Sequence, residues 1–309
     1  MAGLRQQVPA RFAAVYMGYA AALARAPLDA DTRRAYDSRV RGYLAWLATE
    51  DPGEPSPLGD PHARDFAARD YRAHLKTARK RSASTVNAHL TALDHFYVHL
   101  GLGRVQVRRD RLPKRAPRAL DTREQKRYLR AAERQPLARD RAIGRLLFYT
   151  GLRVSELVAL DMDDVPLSAR KGKVIVRSGK GGNSREVPLV DPSGRAAQAE
   201  WNAERAGWPG GGTPALFLNR RGGRLSSRAV DQLLDELAVD ADLVDDNGKP
   251  AISAHNVRHT FGTNLIRAGV DIVVVAELMG HEDLETTRLY ALPTEADIEA
   301  AVARLPADQ

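Results

Sequence analysis

The sequence contains no cysteine. Disulfide staples, thiolate zinc sites and cysteine nucleophiles are thereby excluded. No apolar run reaches the length needed to cross a membrane, and no internal repeat is visible. Dense acidic groups are also scarce near the polar motifs described below. DMDD (161–164) is the one such cluster, and it reads as a solvated turn. A two-metal nuclease needs several carboxylates converging on one site, and the sequence offers no such set. What remains is an ordinary globular composition over 309 residues, 43% hydrophobic and 28% charged. That length fits two domains. Lys and Arg number 47 against 39 Asp and Glu, a net charge of +8. Such a balance favours a polyanionic partner, of which nucleic acid is the commonest, though an arginine-rich proteome gives the same balance.

The first hundred residues carry helical periodicity. Arg5 and Arg11 before FAAVYMGYAAALA (12–24) imitate a secretion signal, with Ala22-Leu23-Ala24 in the cleavage position. However, Phe12, Val15, Tyr16, Tyr19 and Leu23 share one face of an amphipathic helix, so a folded first helix is expected. Asp31 or Thr32 can cap a second helix with Tyr36, Val40, Tyr43, Leu44 and Leu47 on one side. DPGEPSPLGDP (51–61) is a breaker-rich loop. A third helix is expected from Ala63 to Lys76. Ser82 or Ser84 opens a fourth, lined by Val86, Leu90, Leu93, Tyr97 and Leu100 and stopped by Gly101. These four make a helical domain over 1–102.

GRVQVRRDRLPKRAPR follows, with Arg104, Arg108, Arg109, Arg111, Lys114, Arg115 and Arg118 against Asp110 alone. It is expected either as a solvated connector over 103–118 or as a strap along a phosphate backbone, displacing condensed counterions. A second domain, 119–309, opens at LDTREQ, where Asp121 and Glu124 have capping-box spacing. Helices continue to Tyr149. KVIVRSGKGGNSREVPL (173–189) then reads as a β-hairpin with a glycine-rich turn. GGG (210–212) reads as a flexible loop tip, and helical patterns return from Ser226. The expected fold is mainly α with one small β-hairpin, a four-helix domain followed by a mixed α+β domain.

Several polar residues stand in local settings that are individually ordinary. In TGLRVSEL, Arg153 enters a short helix after a turn glycine, with Glu156 at i+3 to hold it. In AHNVRHTFGTN, His255 and Arg258 share a helix turn. Lys180 sits at the hairpin tip. His281 follows Gly280, and Tyr290 comes nine residues later. An unbroken helix would put His281 and Tyr290 on opposite sides. Gly280, with capping candidates Glu282 and Asp283, supplies the break that convergence needs.

Taken in order, GLRVSEL, the hairpin lysine in GKG, HxxRHTF, GH and the late tyrosine resemble the catalytic domain of the tyrosine recombinases, the phage integrase family, in a Xer-like form. The N-terminal segment resembles that family's helical core-binding domain. The resemblance covers about residues 10 to 300. It implies that Arg153, Lys180, His255, Arg258 and His281 surround Tyr290, the nucleophile, with Glu156 supporting them from behind. The sequence departs from the family's usual leucine before the second arginine and alanine after the phenylalanine, both by small or apolar changes. The resemblance implies cutting and rejoining of double-stranded DNA through a 3′-phosphotyrosine, with neither metal nor cofactor. It also implies two domains clamping duplex DNA from opposite faces, in a cytoplasmic protein with no membrane association. A homotetramer, or a heterotetramer with a related recombinase, would hold two DNA sites. The tail 294–305, with Ile298, Val302 and Leu305 on one face, would dock on a neighbouring protomer or in its own core. The short lead before the first helix implies no additional arm-type DNA-binding domain. A type IB topoisomerase and a non-catalytic DNA-binding protein are the alternative readings.

Overall fold

The structure is a computed structural model that describes residues 7–50, 56–112, 118–168, 170–177, 184–280 and 287. The chain divides into two units, Met1–Pro113 and Lys114–Gln309.

The first unit packs four helices: α1 (Ala13–Arg25), α2 (Ala30–Glu50), α3 (Pro61–Thr77) and α4 (Ala83–His99). The amphipathic face expected at the N-terminus is used as such, since Tyr19 and Leu23 are buried in the unit's core. Asp29, rather than Asp31 or Thr32, opens α2 by accepting the backbone N–H of Thr32 at 2.7 Å. Asp60 caps α3, with Pro61 in the first turn, and Ser82 caps α4. The core is aromatic: Tyr43 meets Trp46, Tyr71 and Tyr97 at ring-centroid distances of 5.1 to 6.0 Å.

Residues 103–112, expected as the start of a connector, run along this unit. Val105 is buried in its core, and Asn87 brackets Asp110 through the latter's backbone N–H and carbonyl. Asp110 also pairs with Arg72 and Lys76. One buried valine and one acidic residue among the arginines suffice to dock the stretch.

The second unit contains α5 (Thr122–Glu133), α6 (Ala138–Thr150), α7 (Val154–Ala159), β1 (Lys173–Val176), β2 (Arg185–Pro188), α8 (Pro192–Arg205), α9 (Ser227–Asp240), α10 (Ala254–Arg267) and α11 (Ile272–Met279). The Asp121–Glu124 capping box forms at the start of α5. Helix α6 is central, touched by α5, α8, α9 and α10. Around it lies a core that includes Leu146, Leu147, Trp201, Phe217 and Leu237. Strands β1 and β2 are antiparallel, with Lys173 opposite Pro188 and Val176 opposite Arg185.

Two loop expectations differ from the structure. DMDD is a short 3-10 turn in which Asp164 is 3% exposed and pairs with Arg177 at 2.6 Å, just past β1. It anchors the hairpin rather than facing solvent. Of the glycines at 210–212, Gly210 and Gly211 lie close against backbone, while Gly212 stands in open space as a loop tip would. Gly210 has φ of +76°, and a Cβ there would strike the backbone of Gly222. Arg205 reaches the carbonyls of Gly211, Thr213 and Ala215, partners too far along the chain for local pattern to reveal. Among the described residues, no helix is long and apolar enough to cross a membrane.

Candidate active site

The end of α6 fixes the first element of the site. Gly151 takes a left-handed conformation at φ +60°, and a Cβ there would strike the Phe261 ring. The chain then turns so that Arg153 is the N-cap of α7. Glu156, in the first turn of α7, accepts the Arg153 backbone N–H at 2.8 Å and Arg153 Nη1 at 2.8 Å.

A second arginine grips the same carboxylate. Arg185, the first residue of β2, donates Nη1 to Glu156 Oε1 at 3.0 Å and Nη2 to Oε2 at 2.7 Å. This is the bidentate fork that only a guanidinium provides. Arg258, on α10, approaches Glu156 Oε2 at 3.8 Å and is 4% exposed. Burial pushes the Glu156 carboxyl up, but the hydrogen bonds from Arg185 and Arg153 outweigh it and hold the group below its usual range.

The three guanidinium groups also meet the C-terminus of α11. Arg185 Nε donates to the Leu278 carbonyl at 2.9 Å, Arg258 Nη2 to that of Met279, and Arg153 Nη2 to that of Gly280 at 3.0 Å. Three successive carbonyls are thus capped by three arginines from separate parts of the chain. The negative end of the helix dipole favours this arrangement. Gly280 itself is left-handed at φ +62°, so the chain leaves α11 sharply towards position 281. Arg258 Nη1 donates in addition to the Gly151 carbonyl at 2.5 Å, tying α10 to the turn before α7.

Helix α10 begins at Ser253, whose side chain and that of Asn256 form a capping box. His255 and Arg258 therefore sit in the first two turns, as their spacing predicts. With Arg153 they line one cleft of about 290 Å³. His255 contacts His259 one turn later, with Nε2 atoms 2.6 Å apart and rings nearly perpendicular at 76°. Loss of water around the His255 ring, and then the charge of Arg258, hold its pKa below the ordinary imidazole value. His255 is thus neutral near pH 7 and able to accept a proton.

Of the residues singled out by sequence, Arg153, Glu156, His255 and Arg258 come together. Lys180, His281 and Tyr290 lie outside the described residues, as do Lys114, Arg115 and the tail 294–305. Arg104, Arg108 and Arg111 are exposed on the first unit. Arg109 is instead engaged internally, with Asp94 at 2.5 Å and the Asn87 carbonyl at 2.8 Å. Arg118 pairs with Glu124 at 2.5 Å. Two participants lacked a sequence reading. His259 was legible as i+4 from His255. Arg185 was not, because its partners lie 29 and 93 positions away.

Residues 118–296 match the phage integrase family. Over 281 residues the chain is 34% identical to tyrosine recombinase XerD of Mycobacterium tuberculosis, covering 86% of this chain and 88% of that protein. It is 35% identical to tyrosine recombinase XerC of Pelobacter propionicus, covering 85% of each. In fold it is similar to XerH site-specific recombinase bound to palindromic difH substrate, at TM-score 0.71 and 20% identity, over 88% of this chain and 79% of that one. It is also similar to the Tn1549 transposon integrase in complex with transposon right end DNA, at TM-score 0.66 and 22% identity, over 95% and 99%. With a helical first unit, a second unit built around paired arginines and these relatives along nearly its whole length, the chain belongs to the phage integrase family as a Xer-like tyrosine recombinase.

Proposed function

We infer that the protein cuts and rejoins double-stranded DNA at specific sites, with Tyr290 as nucleophile. The observation that carries this reading is the placement of Arg153 and Arg258. Both are fixed by one carboxylate and one helix end, and both line one cleft with the neutral His255.

The chemistry follows from these groups. Tyr290 Oη attacks the scissile phosphorus while His255 accepts the phenolic proton. The P–O bond to the 5′ oxygen breaks, and Lys180 supplies the proton that oxygen needs. The products are a 3′-phosphotyrosyl enzyme and a free 5′-hydroxyl. Bond energy is kept in the covalent intermediate, so a second strand's 5′-hydroxyl reverses the step and reseals the DNA. In the transition state charge grows on the non-bridging oxygens. Arg153 and Arg258 present fixed donors to them, and His281 adds another. Held donors are effective because they need no reorganisation as the charge develops.

In this reading the exposed Arg104, Arg108 and Arg111, together with Lys114 and Arg115, contact phosphates along the duplex. Four protomers, identical or paired with a related recombinase, would hold two DNA sites.

The test uses a pool of nicked duplex oligonucleotides randomised around the nick, so that the short fragment carrying the free 5′-hydroxyl is lost and the adduct is trapped. A covalent protein–DNA band that is absent with Tyr290→Phe supports the reading, and sequencing its DNA gives the site. No band from any duplex sinks it. Relaxation of supercoiled plasmid lacking that site would favour the topoisomerase reading. Binding without an adduct would favour the non-catalytic one.

A further inference from the structure

We propose that Arg185 is a positioning residue for strand cleavage, acting on Arg153 through the two groups that hold it. The inference rests on the recombinase reading above.

Arg153 has two side-chain anchors, the Glu156 carboxylate and the Gly280 carbonyl. Arg185 lies against both. Its fork covers the two oxygens of Glu156. Its guanidinium also packs flush on Gly280, where an added Cβ would meet Arg185 Nη1 at 2.6 Å. Its Nε holds the Leu278 carbonyl two residues earlier.

The division of labour is visible in what each side chain reaches. Arg185 spends its Nε, Nη1 and Nη2 on Leu278 and Glu156 and does not line the cleft, whereas Arg153 and Arg258 do. Arg185 is therefore no phosphate ligand. Its effect on the reaction passes through geometry and charge. With both carboxylate oxygens already bridged, Glu156 accepts one side-chain N–H from Arg153 and is held from swinging to chelate it with both oxygens. The remaining Arg153 donors stay free for an anion. Arg185 also supplies a second positive charge against the single carboxylate, so Glu156 does not cancel the charge that Arg153 presents. Without Arg185, Glu156 would take the Arg153 fork for itself and turn it from the cleft. A lysine keeps the charge but cannot bridge two oxygens and a carbonyl at once.

The experiment measures single-turnover adduct formation on the nicked duplex recovered by trapping, in two versions. One has a normal scissile phosphodiester. The other has a methylphosphonate there, in which a methyl group replaces one non-bridging oxygen, so that the transition state carries one negative charge fewer for Arg153 to stabilise. On the phosphodiester, Arg185→Ala is expected to slow adduct formation about 100-fold, the size of a small misplacement of a catalytic group, and Arg185→Lys to recover little of it. On the methylphosphonate the same variants are expected within about threefold of the wild-type protein, because the misplaced group has less charge to meet. A loss equal on both substrates overturns the proposal, as it marks a general folding defect. So does wild-type speed on the phosphodiester. If Arg185→Ala does not fold, Arg185→Lys decides by the same comparison. Absence of adduct with the wild-type protein on the phosphodiester is a failure of the recombinase reading itself.

Discussion

At the scale of single residues, the site turns on one ionised carboxylate surrounded by guanidinium groups. Glu156 is held below its ordinary pKa of 4.5, so the sign of its contribution is fixed. The stability it gives is present above the unfolded value and is lost as pH falls through the lower folded value. Glu156→Gln is expected to lower stability by about 3 kcal/mol, the size of breaking a buried pair, when measured by denaturant unfolding near pH 7. The difference between the two proteins should shrink below pH 4.5, and a constant gap across that range would contradict the pairing. Arg153 is half-exposed and lies at a helix start, so its removal should spare the fold. Arg153→Ala is expected to slow adduct formation about 10²- to 10³-fold with little change in melting temperature. In the proposed reaction His255 accepts the tyrosine proton and must be neutral to do so. Its pKa lies below 6.5, so the acid limb of a cleavage-rate profile should fall below pH 6.5 and disappear in His255→Gln. Arg153, Glu156, His255 and Arg258 were legible from the order of their motifs along the chain, since each pair within one helical turn is ordinary by itself. Arg185 was silent in the sequence, since a strand arginine acquires meaning only when three distant segments fold around it.

At the scale of elements, local rules carried furthest where cap and periodicity coincide. The Asp121–Glu124 box, the Ser82 cap and the hairpin all follow from neighbours a few residues apart, whereas the Asp60 cap starts the third helix at Pro61, two residues before the expected Ala63. The settings of Asp164 and Gly211 did not follow from neighbours, because Arg177 and Arg205 reach them from other segments and tie down an acidic and a glycine-rich stretch. The end of α11 makes the sharpest demand. Gly280 combines a left-handed backbone with the Arg185 guanidinium where a side chain would stand. Gly280→Ala should cost about 1 to 2 kcal/mol from backbone conformation alone. It should lose adduct formation more completely than stability, which parallel unfolding and trapping measurements would separate.

For the whole molecule, the two units call for separate probes. The first holds His89 at half-burial, its pKa pushed down to about 4 by burial, then by Arg39 and Arg81. Its Nδ1 lies 3.2 Å from the Tyr71 hydroxyl, within hydrogen-bond reach of a neutral imidazole. Folding then disfavours the charged histidine. The stability concerned is present above the unfolded pKa of 6.5 and is lost between there and about 4. His89→Gln should flatten the melting temperature of the first unit over that window. The division into a helical unit and a mixed unit was readable from the pattern of apolar residues. The docking of 103–112 was not, because the arginine content there hides Val105.

Residues 153, 185 and 258 must all arrive before the last carbonyls of α11 are held. A chain still emerging during synthesis, or one partly melted, therefore lacks the assembled anion receptor even if each helix has formed. For an enzyme that breaks DNA strands, competence to cut becomes a late and all-or-none property of the finished molecule. Loss of cutting and loss of the second unit's folded structure should then share a single denaturant midpoint.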